Sequence, residues 1–102
     1  MNNHEEPIYT PYVRHCLRFY ARYPHIKDFR NETDKANWLA CDKVIQGCTP
    51  LGKCIVAKVY GERDTIADNV YNASKQYRLN QDTIWQWVRK TERKIAIERG
   101  LL

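Results

Sequence analysis

The fold is decided by the stretch from Thr65 to Arg99, which reads TIADNVYNASKQYRLNQDTIWQWVRKTERKIAIER. Apolar residues recur at helical spacing in both halves, and only Arg78 to Asn80 separate the halves. The pattern predicts one helix from about Thr65 to Tyr77 and another from Gln81 to about Arg99, with Gly100 as its stop. A link of three residues forces two helices into a tight corner, as in a helix-turn-helix.

Residues at the ends of these two helices support the corner. Thr65 and Asp68 approximate a capping box at the start of the first helix. Asn80 is expected to cap the second helix, and Leu79 and Ile84 occupy the staple positions that fix its entry angle.

Three more helices are predicted upstream. They run from about Pro11 to Tyr23 with Thr10 as N-cap, from about Asp34 to Gln46 with Thr33 as N-cap, and from Pro50 to Gly61 with Thr49 as N-cap. Residues expected to point inward from these helices are Val13, Cys16, Leu17, Tyr20, Trp38, Cys41, Ile45, Leu51, Ile55, Val56 and Val59.

These segments predict an all-α fold, a five-helix single domain with a C-terminal helix-turn-helix at about 65–99 and a long recognition helix. Residues 1–8 are expected to form a flexible N-terminal arm, and residues 9–102 the helical domain. The chain has 102 residues, of which 43% are hydrophobic and 28% charged, a globular composition. Its length and its lack of a glycine-rich loop argue against a conventional metabolic enzyme.

Composition also bounds location and cofactors. The longest apolar runs are four residues, which excludes a membrane span, and Met1 to Tyr9 lack the pattern of a secretory signal. The four cysteines form no C-x-x-C pair, so we expect buried thiols in a reducing cytoplasm, no metal site and no cofactor.

The charge is uneven along the chain. The net charge is +5, and residues 49–102 carry ten basic against six acidic groups, with the excess confined to residues 75–102. A basic C-terminal third favours a polyanion as partner, although a solvated helix face would look the same.

The last predicted helix has an apolar side and a polar side. Ile84, Val88, Thr91 and Ile95 share the apolar side, with Trp87 at its edge. A polar side rich in Gln and Arg suits a reader of the DNA major groove. The residues expected to face bases are Gln81, Asp82, Thr83, Gln86 and Arg89. The residues expected to face phosphates are Lys75, Arg78, Lys90, Arg93 and Lys94.

The C-terminal half also carries a family resemblance. The stretches involved are Thr49-Pro50-Leu51, the run from Thr65 to Tyr71, the corner from Ser74 to Asn80, Ile84 ten residues after Ser74, and the run from Arg89 to Ala96. Together they resemble region 4 of bacterial sigma factors and the similar small regulators of phages and integrative elements of Gram-positive bacteria.

The resemblance implies a promoter-binding regulator of transcription with double-stranded DNA as partner; a homodimer and RNA polymerase are further partner hypotheses. No segment resembles the parts of a sigma factor that bind core polymerase. Arg78 stands at the corner position where such motifs usually carry Gly, so the turn is expected to use a non-glycine conformation.

The main alternative is a protein-protein interaction module, or a small structural phage protein, that uses an aromatic N-terminal helix. The aromatic residues in question are Tyr9, Tyr12, Phe19, Tyr20, Tyr23 and Phe29. Whether their rings lie on the surface or inside distinguishes this reading.

Two further alternatives are weaker. Arg14, Arg18 and Arg22 form a helical stripe that could bind RNA, but most aromatic residues fall on the other side. An enzyme is not expected, because the three histidines have no Ser, Cys or carboxylate partner at catalytic spacing.

Overall fold

Five amphipathic helices surround one core in the computed structural model, which describes residues 6–102. The helices are α1 (Thr10–Arg22), α2 (Glu32–Gln46), α3 (Pro50–Gly61), α4 (Ile66–Tyr77) and α5 (Gln81–Glu98). The described residues contain no strand, so the prediction of an all-α, five-helix domain is confirmed. The predicted flexible arm comprises residues 1–8, and its first five residues lie outside the described part of the chain. Among the helices of residues 6–102, none is long and apolar enough to cross a bilayer.

α1, α2, α3 and α5 each pack against three other helices, and α4 packs against two. α1 packs against α2, α3 and α5, whereas α5 packs against α1, α2 and α4. Among the five helices, α4 packs only against α3 and α5. The outer side of α5 faces away from the core, because Gln86, Arg89 and Arg93 are exposed.

Most residues predicted to point inward are buried, namely Val13, Cys16, Leu17, Tyr20, Cys41, Ile45, Ile55, Val56 and Val59. Leu51 was predicted to be buried, and this is wrong, because its side chain is 47% exposed. Gly52 aligns with Val56 and Val59 on the inner side of α3, and a Cβ atom there would lie 3.3 Å from Trp87. Leu51 precedes it by one residue, about 100° around the helix, and so faces outward.

Two predicted N-caps are wrong. Thr10 is the first residue of α1 and is buried, and Tyr9 at the cap position accepts no side-chain hydrogen bond. α2 begins two residues earlier than predicted because Asn31, not Thr33, is its cap: the Asn31 side chain accepts a hydrogen bond from the Asp34 amide at 2.8 Å. The predicted cap of α3 is confirmed, since the Thr49 hydroxyl accepts from the Gly52 amide.

The corner between α4 and α5 has the predicted length of three residues, Arg78 to Asn80. The Thr65 side chain accepts from the Asp68 amide at 3.1 Å, and Asn80 accepts from the Asp82 amide at 2.7 Å. The expectation of a non-glycine conformation at Arg78 is wrong. Arg78 has φ 55° and ψ 46°, the left-handed conformation that glycine adopts most easily.

Candidate nucleic-acid interface

The candidate interface is the outer side of α5 together with the corner before it. α5 has 18 residues, so it is about 27 Å long. Its inner side is closed to solvent, because Ile84, Val88, Thr91 and Ile95 are each at most 4% exposed. The helix ends in a Schellman motif, in which the Leu101 amide donates to the Ala96 carbonyl and Gly100 has φ 71°.

All ten residues predicted to face DNA have exposed side chains. They are Gln81, Asp82, Thr83, Gln86, Arg89, Lys90, Arg93 and Lys94 on α5, Lys75 on α4, and Arg78 in the corner. Asp82, Gln86, Arg89 and Arg93 follow one another at spacings of four, three and four, which places them along one side of the helix. Within residues 6–102, none of the basic members of this set forms a salt bridge.

Two of these basic groups lie over aromatic rings. The Arg89 guanidinium is 5.5 Å from the centre of the Trp85 ring, and the Lys75 ammonium is 5.3 Å from the Tyr71 ring. Such cation–π contacts hold a charged group in place without neutralising it. The guanidinium of Arg89 is thereby positioned at the edge of the outer side of α5.

Lys75 lies in the last turn of α4, and Arg78 is the first residue of the corner that leads to α5. The Leu79 amide donates to the Ser74 carbonyl at 3.0 Å, which closes the end of α4. Ser74 is buried, so a small side chain lies where the two helices meet. This hydrogen bonding defines the path of the turn, and both basic side chains project from it into solvent.

A buried carboxylate fixes the inner side of α5. Oε2 of Glu92 accepts hydrogen bonds from the Tyr60 hydroxyl at 2.7 Å and from Nε of Arg14 at 2.8 Å. Burial raises the pKa of Tyr60 well above its usual range, and the charge and hydrogen bond of Glu92 raise it further. Burial lowers the pKa of Arg14, but the hydrogen bond and charge of Glu92, together with the charges of Glu6 and Tyr60, raise that pKa overall. α5 is therefore tied to α1 and α3 by one charged group.

A second polar contact ties the end of α5 to α2. Nε of Arg99 donates to Oδ1 of the buried Asn37 at 2.6 Å, and Tyr12 hydrogen-bonds to the same side chain. Arg99 is one of the basic residues of the C-terminal third, but its side chain makes a hydrogen bond within the protein.

The arginine stripe of α1 is used inside the molecule. Arg14 binds Glu92, and Arg18 donates to the carbonyls of Glu62 and Asp64, both at 2.8 Å. Asn69 donates to the same two carbonyls, so the loop before α4 is held from both sides. Of the three arginines considered as an RNA surface, only Arg22 is exposed, and Arg14 and Arg18 are half-buried.

The N-terminal aromatic residues mostly turn inward. Tyr20 is 6% exposed and its ring centre lies 5.1 Å from that of Trp38, and the ring centre of Phe29 lies 5.8 Å from the same ring. Tyr9 and Phe19 are half-buried, and only Tyr12 and Tyr23 are exposed. The aromatic excess therefore forms a packed layer rather than a continuous surface patch.

The prediction of buried thiols is confirmed for Cys16 and Cys41, but Cys48 is half-buried and Cys54 is exposed. All four are free, and Cys16 and Cys41 are buried. Burial raises the pKa of the Cys16 thiol to about 11. Residues 6–102 contain no cluster of three His, Cys, Asp or Glu side chains that could hold a metal ion.

Sequence reasoning missed the structural role of Glu92 and of the groups that bind it. The signal was present: Glu92 lies four residues after Val88 and three before Ile95, which places it beside the buried stripe. Its long-range partners, Arg14 and Tyr60, could not be identified from local spacing.

Comparison of the chain with protein-family models, with curated proteins and with solved structures finds no significant match in any of the three.

Proposed function

We propose that this protein is a sequence-specific DNA-binding regulator of transcription, of the helix-turn-helix kind found in region 4 of sigma factors and in small regulators of phages and mobile elements. α4 and α5 would form the motif, and α5 would be the recognition helix. The protein would act by binding, without catalysis.

One observation carries the proposal. The inner side of α5 is buried and held by Glu92, while its outer side presents Gln86 and four basic groups that form no ion pair within residues 6–102. A rigid helix with such an outer side can enter the major groove, which is about 12 Å wide. Arg89 and Gln86 have the side chains that pair bidentately with guanine and adenine.

The other groups fit roles at the backbone of DNA. Lys75 and Arg78 precede α5, in the last turn of α4 and in the corner, and Arg93 and Lys94 lie toward the end of α5. Contacts on both sides of the groove would fix the register of the helix, while Gln81, Asp82 and Thr83 at the helix start would lie near base edges.

A titration of labelled duplex DNA by fluorescence anisotropy at several salt concentrations tests the proposal. We expect micromolar or tighter binding at low salt that weakens steeply as salt rises, because phosphate contacts release counterions. The double variant Arg89→Ala, Arg93→Ala should bind more weakly, and its salt slope should be flatter by about one to two.

The matched control is the double variant Arg22→Ala, Arg63→Ala, which removes the same charge from exposed sites on α1 and on the α3–α4 loop. It should keep nearly all of the affinity and slope. Equal losses in the two variants would show that only net charge matters, and the recognition role of α5 would then be wrong.

Sequence preference is tested separately by selection from a random duplex library. The preferred site of the Gln86→Ala variant should lose its preference at one base pair, at a cost of about 1 to 3 kcal/mol for that pair. Selection that yields no preferred site for the unmodified protein would contradict sequence-specific binding.

A further inference from the structure

A cleft of about 470 Å³ lies beside the outer side of α5, where the second half of that helix faces the junction between α2 and α3. This volume falls in the range of small-molecule sites, about 300 to 1,000 Å³. Its walls come from residues 43–49 and from α5, and Val44, Cys48 and Trp87 in these walls pack against the core.

The wall of the cleft combines apolar surface with amines. Val44, Trp87 and Ile97 supply apolar surface, and Trp87 offers a flat aromatic ring. Lys90 and Lys94 line the same cleft from α5, one turn of helix apart.

The one carboxylate that lines the cleft is already engaged. Glu98 pairs with Lys43 at 3.1 Å, and both residues belong to the wall. Lys90 and Lys94 form no salt bridge with another residue of 6–102. The cleft therefore has an excess of positive charge next to an apolar surface.

We propose that this cleft binds a small amphipathic anion, with a flat apolar body against Trp87 and a carboxylate or sulfonate group held by Lys90 and Lys94. Aromatic carboxylates are the class of ligand that fits both features. A neutral apolar molecule would use only the wall, and inorganic phosphate would use only the amines.

Such a ligand would also regulate DNA binding, an extension that rests on the proposed function. Lys90 and Lys94 are expected to contact phosphates, so an anion that occupies them would compete with DNA for the same two charges. The ligand would lower DNA affinity, and DNA would lower ligand affinity by the same factor.

The thiols of the chain provide a direct assay of the cleft. Cys48 lines it and is half-buried, whereas Cys54 on α3 is exposed and does not line it. The folded protein is alkylated with iodoacetamide in the presence of 2-naphthoate, and modification of each cysteine is followed by peptide mass spectrometry. Burial raises the pKa of Cys48, so rates are compared with and without ligand for the same thiol.

We expect 2-naphthoate to slow modification of Cys48 with a saturable dependence and a Kd of about 0.1 to 1 mM, and to leave Cys54 unchanged. The neutral analogue 2-naphthamide should protect at least about fivefold more weakly, as should 2-naphthoate with the Lys94→Gln variant. The Lys35→Gln variant, which removes an exposed lysine at the far end of α2, is the control and should behave as the unmodified protein.

Absence of Cys48 protection up to about 5 mM 2-naphthoate would overturn the proposal. Equal protection by 2-naphthoate and 2-naphthamide, or unchanged affinity in both Lys90→Gln and Lys94→Gln, would also overturn it, because the anion would then have no role. Circular dichroism establishes that these variants are folded.

The two proposals fail in different ways. Cys48 protection requires no DNA, so its presence together with an absence of DNA binding would contradict only the proposed function. DNA binding that 2-naphthoate does not weaken, in a protein that it does protect, would contradict only the competition.

Discussion

Oε2 of Glu92 accepts hydrogen bonds from Arg14 and Tyr60, so this buried carboxylate has two donors from other helices. Removing one member of a buried ion pair leaves the other charge without compensation, which typically costs about 3 to 5 kcal/mol. Arg14 is only partly buried, with 19% of its side chain exposed, and this places the expected cost at the lower end.

The variant Arg14→Met tests this coupling. It keeps most of the apolar stem and removes the charge, and we expect the free energy of unfolding in urea to fall by about 3 kcal/mol. The control is Arg22→Met on the same helix, an exposed site where the change should stay within about 0.5 kcal/mol. A loss below about 1 kcal/mol for Arg14→Met would mean that Glu92 is not a charged anchor of α5.

Ionisation of Cys16 is expected to lower the stability of the fold at alkaline pH. Its pKa is raised from 9.0 to about 11 in the folded state by burial, so the neutral thiol stabilises the fold fully below pH 9. That contribution is lost as pH rises from 9 through 11, because the unfolded chain releases the proton first. Two pKa units correspond to about 2 to 3 kcal/mol.

Urea unfolding of the unmodified protein and of Cys16→Ala at pH 8 and pH 11 isolates this contribution. Other groups titrate in both proteins, so their effects cancel in the difference between the free energies of unfolding of the two proteins. That difference therefore reports the contribution of Cys16. The advantage of the unmodified protein should shrink by about 2 kcal/mol between the two pH values. A difference that does not change with pH would contradict a raised pKa at Cys16.

At the scale of elements, Arg78 in the corner between α4 and α5 is expected to lower the stability of the fold and to strengthen the proposed binding of DNA. The backbone of Arg78 has a left-handed conformation, which costs a non-glycine residue about 1 kcal/mol. Arg78→Gly should therefore raise the free energy of unfolding by about 0.5 to 1 kcal/mol and, under the proposed function, weaken DNA binding by removing a phosphate contact.

Arg78→Ala separates the two effects. Ala keeps the Cβ atom and loses the charge, so it should weaken DNA binding to the same degree without the gain in stability. Urea unfolding and anisotropy on the same preparations measure both quantities. Equal stability of the Gly and Ala variants would show that the backbone at residue 78 is not strained.

The helices themselves were predictable because their signals are local. Apolar spacing, the link of three residues and the caps Thr49, Thr65 and Asn80 all lie within a few residues of the feature that they specify. The start of α2 was not predictable in this way. Asn31 and Thr33 are both residues that cap helices, so their presence two residues apart left two possible starts, and the observed cap is Asn31, the type with the stronger preference.

The candidate interface likewise has features that local sequence predicts and features that depend on distant residues. The exposed side of α5 follows from helical period alone, so the eight candidate residues on this helix could be predicted to face outward. The assignment of Arg14 and Arg18 to internal contacts depends on groups 44 to 78 residues away in sequence, and no local pattern encodes such distances. Whether an arginine binds solvent, DNA or its own protein is decided by the fold.

At the scale of the whole molecule, one continuous core joins all five helices. A domain of this kind unfolds as a unit, so buried amides in different helices should exchange through the same global opening. We expect the amides of Cys41 in α2, Val59 in α3 and Val88 in α5 to report equal free energies by native-state hydrogen exchange, and to match the value from urea. Values that differ by more than about 1 kcal/mol would indicate separate folding units.

The division of α5 into a buried side and a free side has a consequence for evolution and design. The inner residues and Glu92 hold the helix, whereas Gln86, Arg89 and Arg93 make no hydrogen bond to the rest of residues 6–102. Exposed substitutions away from such anchors usually change stability by less than about 0.5 kcal/mol. The outer side of α5 can therefore diverge freely among descendants of this chain, or be randomised in a library, while the scaffold beneath it stays the same.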